Sequence, residues 1–180
     1  ERFDIEVGRR KMYDIFDSKI EFDSYFDGVL ARYLASFDDV CDFSLKGGAF
    51  VIDSTVNHYG YVGEMGFLDI GDTGLDFKYS LIDWEKRGRN RFGLRHPLGT
   101  RFLNSQFATA YNIPPELFGK KMKLYGAYLV NSLAKPNKWT HHERANDAFY
   151  VGMTVGETKK KGDWAFDLFY QWVQAQAIPE

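Results

Sequence analysis

The sequence predicts an all-β protein: a segment of an antiparallel up-and-down transmembrane β-barrel, partial, with about nine strands of a larger barrel in its 180 residues. Three observations predict it. Apolar and polar residues alternate with period two along much of the chain, which sends them to opposite faces of a strand. The alternating runs are close to ten residues long, above the usual mode of about 5–6 and within the roughly 9–11 that a tilted strand needs to cross a bilayer. Aromatics also sit at both ends of the apolar faces: Trp164 and Trp172 are eight residues apart, as are Tyr59 and Phe67. Eight steps of about 3.3 Å, tilted by about 40–45°, project to roughly 20 Å, near the apolar band of about 25 Å that lies between aromatic girdles.

The elements follow in order. Phe3, Ile5 and Val7 alternate with Arg2, Asp4 and Glu6, which predicts a first strand. A weaker alternation over 28–36 gives the second. Cys41, Phe43, Leu45, Gly47, Ala49 and Val51 alternate with Asp42, Ser44 and Lys46; Cys41 there reads as a small hydrophobe. Tyr59, Tyr61, Gly63, Met65 and Phe67 oppose His58, Gly60 and Glu64, and Leu75, Phe77, Tyr79 and Leu81 oppose Asp76, Lys78 and Ser80. Weaker strands are expected over 101–112, 121–132 and 147–156. Trp164, Phe166, Leu168, Tyr170 and Trp172, opposite Ala165, Asp167 and Gln171, make the last. Leu30, Leu34, Phe50, Phe169 and Val173 break the pattern, because they fall on the polar side of their strands. The intervening connections run long over 9–27, 85–100 and 133–146, medium over 113–120, and short over 37–39, 53–57, 69–74 and 157–162. That is the long–short alternation of a barrel with turns at one end and loops at the other, with 53–57 as the exception.

Composition narrows the function classes. Lys+Arg is 23 and Asp+Glu 25, a net charge of -2, so nothing in the overall balance favours nucleic acid. With 44% hydrophobic and 17% aromatic residues the chain is too apolar for a disordered one. No apolar run approaches the about 20 residues of a membrane-spanning helix. A single cysteine allows no internal disulfide and no Cys-rich metal site. His141-His142-Glu143 offers ligand atoms on a Pro- and Asn-containing loop with no preset tetrahedral geometry, so we expect no metal and no other cofactor. No nucleophile elbow, phosphate loop or dinucleotide fingerprint occurs, and we expect no enzyme. Period two alone does not say which face is wet: a soluble barrel or sandwich binding a small ligand, with the apolar side inward, stays open beside the membrane barrel. Charges in mid-strand and the abundance of Tyr and Trp on the apolar faces favour the latter.

Some segments also resemble a known family. Arg2-Phe-Asp-Ile-Glu-Val-Gly-Arg-Arg10, Phe26-Asp27-Gly28, Gly126-Ala-Tyr128, Asn146-Asp147 through Gly156, Lys159-Lys-Lys-Gly-Asp-Trp164 and Tyr170-Gln-Trp-Val-Gln-Ala-Gln-Ala-Ile-Pro179 are similar, in that order, to segments of bacterial outer-membrane porins. The resemblance covers most of 120–180 and parts of 1–70. It implies a β-barrel in a Gram-negative outer membrane that passes small hydrophilic solutes by passive diffusion. Two departures bear on extent. Such barrels commonly finish on an aromatic residue, whereas this chain ends Ile178-Pro179-Glu180. Nine strands is also an odd number, where single-chain bacterial barrels are even. We therefore expect residues 1–180 to be one barrel segment, incomplete at both ends.

A pore needs charged groups at a water-filled constriction rather than a catalyst. The candidates are Arg9, Arg10, Lys11, Asp14 and Asp17 in the first long connection, which also holds Lys19, Glu21, Asp23 and Asp27. Lys46, Asp76 and Lys78 stand in mid-strand with Asp4, Glu6, Arg32, Asp42, Glu64 and Asp167. Arg87, Arg89, Arg91 and Arg95 stand in the Arg-rich connection. Ionised groups in lipid are costly, so in a membrane barrel the mid-strand set must face water. A two-signed loop over 9–27 can fold inward or stay solvated. The Arg-rich loop can attract anionic solutes or meet lipopolysaccharide phosphates. Tyr59, Phe67, Trp164 and Trp172 are the girdle candidates. The expected partners are membrane lipid, lipopolysaccharide and small solutes or ions, with a homo-oligomer suggested by analogy alone. A structural or adhesive outer-membrane barrel with a blocked interior is the remaining alternative.

Overall fold

The computed structural model describes residues 1–11, 16–20, 25–53, 58–85, 102–136 and 138–178. Nine strands form one antiparallel sheet: β1 (Arg2–Lys11), β2 (Tyr25–Phe37), β3 (Cys41–Asp53), β4 (His58–Leu68), β5 (Leu75–Glu85), β6 (Phe102–Ile113), β7 (Met122–Asn131), β8 (Asp147–Gly156) and β9 (Ala165–Val173). Each strand pairs with its neighbour in the chain, in the order β1 to β9. The sheet is an open up-and-down meander, and its two edge strands do not pair with each other. The strands expected from period two are all present: β1 to β5 run beyond their clearest alternation, and β6 to β9 match the expected ranges to within one residue at each end. Not expected were the one-turn helix Pro115–Phe118 and the 3-10 turns Ile70–Asp72 and Lys138–Thr140. Among the described residues no helix is long and apolar enough to cross a membrane.

Register fixes the faces, because residues directly opposed across a ladder share one. The row Asp4, Arg32, Lys46, Glu64, Ser80, Gln106, Leu129, Ala148 and Val173 runs across all nine strands on one side. Tyr33, Leu45, Met65, Tyr79, Phe107, Tyr128, Phe149 and Trp172 form the neighbouring row on the other side. The second face is bare and apolar: Phe3, Val7, Phe107, Val151, Leu168 and Tyr170 are among its exposed side chains. Rings pack along it, with Tyr79 and Phe107 centroids 4.7 Å apart and Phe149 and Trp172 5.7 Å apart.

The first face carries a cover. Residues 16–20, between β1 and β2, lie across it as a strap. Phe16 is 0% and Ile20 2% exposed, in one cluster with Leu30, Phe50, Val62, Ile82, Phe102 and Leu129. This apolar seat occupies the half of the face nearest the β1–β2, β5–β6 and β7–β8 connections. Toward the opposite end the same face is charged. At that end the connections are tight: Val40 N–H bonds to the Phe37 carbonyl at 3.0 Å with Asp39 left-handed, and Gly74 (φ +78) leaves no room for a side chain against the Asn112 carbonyl oxygen. Behind β9, the buried Gln176 bonds to the Lys135 and Ala145 backbone, tying the last described turn to the β7–β8 connection.

Candidate functional site

The charged half of the strap face is built around Glu64, in mid-β4 and 1% exposed. A buried carboxylate is tolerable only when donors surround it. Lys46, its register partner on β3, donates from Nζ at 2.7 Å; Ser80 on β5 donates from Oγ at 3.0 Å; the Asp17 backbone N–H of the strap donates at 3.0 Å. Arg32 pairs with Glu6 at 3.0 Å in the next strands along.

The strap is held at both ends by ion pairs. The Asp17 carboxylate meets Lys78 Nζ at 2.5 Å, and Gln106 Nε2 donates to the Asp17 carbonyl at 2.8 Å. Two residues on, Lys19 Nζ reaches Asp167 on β9 at 2.7 Å and stands 5.2 Å from the Tyr125 ring centroid and 5.8 Å from that of Phe169. Asp167 also accepts from the Tyr125 hydroxyl at 2.5 Å and from Thr154 at 3.1 Å. Partial burial raises the Asp17 carboxyl, but the hydrogen bond and charge of Lys78, with Lys123 and Lys46 behind it, outweigh this and hold it below its ordinary 3.8.

Between the strap and the sheet lies a cavity of about 130 Å³. Asp17 and Lys19 form its roof; Asp76, Lys78, Lys123 and Tyr150 line its walls, and Ala108 and Ala110 its floor. Asp76 is fixed by the Asp69 N–H at 2.9 Å and Asn112 Nδ2 at 3.0 Å.

Of the residues singled out in the sequence, Asp17, Lys78 and Asp76 meet at this cavity, and Lys46 lies beside it through Glu64. Asp167 joins through Lys19. Arg9 lies apart from this group: its register partner is Asp27, on the row of Val51 and Tyr59, at the rim of the apolar face. The backbone of Arg10 and Lys11 continues β1. Asp14, Arg87, Arg89, Arg91 and Arg95 lie outside the described residues. Tyr59, Phe67 and Trp172 are 39%, 38% and 40% exposed on the apolar face near strand ends, and Trp164, just before β9, is 53% exposed beneath the Lys120 ammonium. His141 and His142 stand exposed in a turn with positive φ. Cys41 is half-buried on the apolar face, opposite Phe37.

Sequence reasoning did not single out Ser80, Gln106, Lys123, Tyr125 or Tyr150 as site residues. Parity was a signal for two of them: Ser80 lies on the side of its strand that carries Asp76 and Lys78, and Tyr125 on the side that carries Lys123, whereas the strands of Gln106 and Tyr150 hold no mid-strand charge. Compared with known proteins, the chain matches no family model, no curated protein and no solved structure.

Proposed function

We propose that this sheet is part of the wall of a porin-like β-barrel in a Gram-negative outer membrane, passing small hydrophilic solutes passively through a watered interior. The observation that carries the reading is the division of labour between the two faces. One side of the meander leaves Phe, Leu, Val, Tyr and Trp side chains uncovered over all nine strands, with Phe107 at 64% and Val151 at 56% exposure. The other side holds the mid-strand ion pairs and a charged strap, while the charges of the apolar face, Arg9, Asp27, Asp83 and Asp147, stand toward its strand ends. A soluble sandwich or lipocalin-like barrel would cover the apolar side instead, and a bare apolar surface of this extent marks a lipid or protein contact. In this reading the apolar face meets lipid, aromatics near the strand ends sit at its borders, and the strap narrows the water path beside Lys78, Asp76 and Lys123. Reconstitution of the full-length protein in planar bilayers is expected to give stepwise ion conductance. Repeated silence from protein shown to be folded would overturn it.

One observation favours a second reading, a structural barrel with a blocked interior. Phe16, Ile20, Leu30, Phe50 and Ile82 fill the strap's apolar seat, each 5% exposed or less. Phe169, by contrast, is 45% exposed, and the charged half holds a cavity rather than packed side chains. The two readings part on conductance: the blocked barrel gives a folded, inserted protein that passes no current.

A further inference from the structure

At the end of the sheet where the connections are tight, charge is divided unevenly. The β2–β3 and β4–β5 turns hold Asp38, Asp39, Asp69 and Asp72 and no base. Residues 114–121 between β6 and β7, and 157–164 between β8 and β9, hold Lys120, Lys121, Lys159, Lys160 and Lys161 against Glu116, Glu157 and Asp163, a net charge of +2. These two connections are neighbours because β7 pairs with β8, and they are locked together. Glu157 accepts from Lys121 Nζ at 3.3 Å and from Lys159 Nζ at 2.9 Å, and the Gly156 N–H bonds to the Lys121 carbonyl at 2.8 Å. One Asp163 oxygen closes the second turn by accepting from the Lys159 and Lys160 backbone N–H groups, at 3.0 and 2.7 Å. The side chains of Lys160 and Lys161 stand exposed, with no ion pair or hydrogen bond to a described residue. The place of this patch matters as much as its sign. Lys120 Nζ lies 5.4 Å from the Trp164 ring centroid, and Trp164 extends the exposed alternate set Phe166, Leu168, Tyr170 and Trp172. The lysines therefore rim the bare apolar face where it ends. A lysine at such a border keeps its stem on apolar surface and lifts its ammonium to the level of lipid headgroups.

We propose that these two turns are a docking site for an anionic phospholipid, its phosphodiester held by Lys120, Lys160 and Lys161 and its acyl chains lying along Trp164 and Phe166. The inference rests on the placement of the bare face in a membrane, and not on conduction. Charge complementarity carries it. A surplus of positive charge stands at the edge of a surface that hydrocarbon would cover, and a phosphodiester brings a single negative charge to it with oxygens that accept from ammonium groups. The acidic turns do not cancel this. The β4–β5 turn lies about two strand spacings from the β6–β7 connection, roughly 10 Å and about one Debye length in physiological salt. They restrict the site instead: anionic lipid gathers at the β6–β9 sector of the rim and is turned away from the β2–β5 sector.

The test folds the full chain in detergent micelles holding equal amounts of phosphatidylglycerol and phosphatidylcholine, and counts the lipid retained on the protein by native mass spectrometry. Phosphatidylglycerol is expected to be retained about tenfold or more over phosphatidylcholine, with a preference that shrinks as salt is raised. Lys160→Gln combined with Lys161→Gln, both in an exposed turn, is expected to lower the preference by about fivefold or more, and Lys120→Gln to lower it as a separate variant. Asp38→Asn combined with Asp39→Asn, in the acidic sector, is expected not to lower it. Inorganic phosphate, which has the charge and no acyl chains, is expected not to displace the lipid. Equal retention of the two lipids, a preference unchanged in the lysine variants, an equal fall in the aspartate variant, or full displacement by inorganic phosphate overturns the inference. The failures of the two readings are distinct. Folded protein that retains no lipid of either kind removes the membrane placement of the bare face and this site with it; equal retention of both lipids removes the site alone.

Discussion

Glu64 and Lys46 test most directly whether the strap face is a built interior. Glu64 is 1% exposed and the Lys46 side chain 21%. Replacing Glu64 by Leu removes the acceptor of three donors: the Lys46 ammonium, the Ser80 hydroxyl and the Asp17 N–H. Breaking a buried ion pair from one side costs about 3–5 kcal/mol. Water reaching the partly exposed Lys46 lowers that share, while two stranded neutral donors add about 1 kcal/mol or more each. The expected loss for Glu64→Leu is about 4 kcal/mol, and for Lys46→Met about 3 kcal/mol. The two residues are register partners, so in the double variant the new apolar side chains pack on each other. Its cost is expected to fall at least about 2 kcal/mol short of the sum of the single costs. Urea unfolding of the refolded protein, read by tryptophan fluorescence, measures all three; Trp84, 8% exposed, is a suitable reporter. Strictly additive costs, or single costs below about 1 kcal/mol, would show that Glu64 behaves as a solvated group and refute the reasoning.

Other expectations follow from the same geometry. If the bare face meets hydrocarbon, Phe107→Arg in mid-β6 costs about 2–4 kcal/mol in lipid vesicles; a variant as stable as the parent would point to a face in water. Because Asp17 is held below 3.8, its contribution to strap docking is complete above that value and is lost as pH falls through the lower value of the folded state. Hydrogen exchange at the strap amides should therefore quicken below about pH 4, and Asp17→Asn should show the quickened rate already at neutral pH. Gly74→Ala would place a Cβ 2.3 Å from the Asn112 carbonyl oxygen at φ +78. It is expected to lower stability by about 1–3 kcal/mol in the same urea assay.

The strands were legible because each is amphipathic in itself: period two needs no partner to be read. The exceptions to the alternation turn out to be informative. Leu30 and Phe50 sit on the polar side because Phe16 and Ile20 of the strap pack on them, and the Phe169 ring lies near the Lys19 ammonium. Leu34, 40% exposed, has no such explanation in the structure. The site was legible in part. Lys46, Asp76 and Lys78 were visible as charges at strand positions facing one way, and Asp17 as part of a two-signed loop. That this loop folds onto β4, β5, β6 and β9 was not readable, since no local spacing encodes which strands a long connection will meet. Lys123, Tyr125 and Tyr150 were hidden for a related reason: their strands alternate weakly, and only register places Lys123 on the row of Asp167, Tyr150 on that of Lys78 and Tyr125 on that of Asp76.

The meander and the strap impose different demands on assembly. Every ladder joins segments adjacent in the chain, so each hairpin can close soon after its second strand is made. Lys19 must instead wait for Asp167, 148 positions downstream, and closing so large a loop before the intervening hairpins exist is entropically unfavourable. Docking of the strap is thus expected to come late in folding and to report that β9 has joined the sheet.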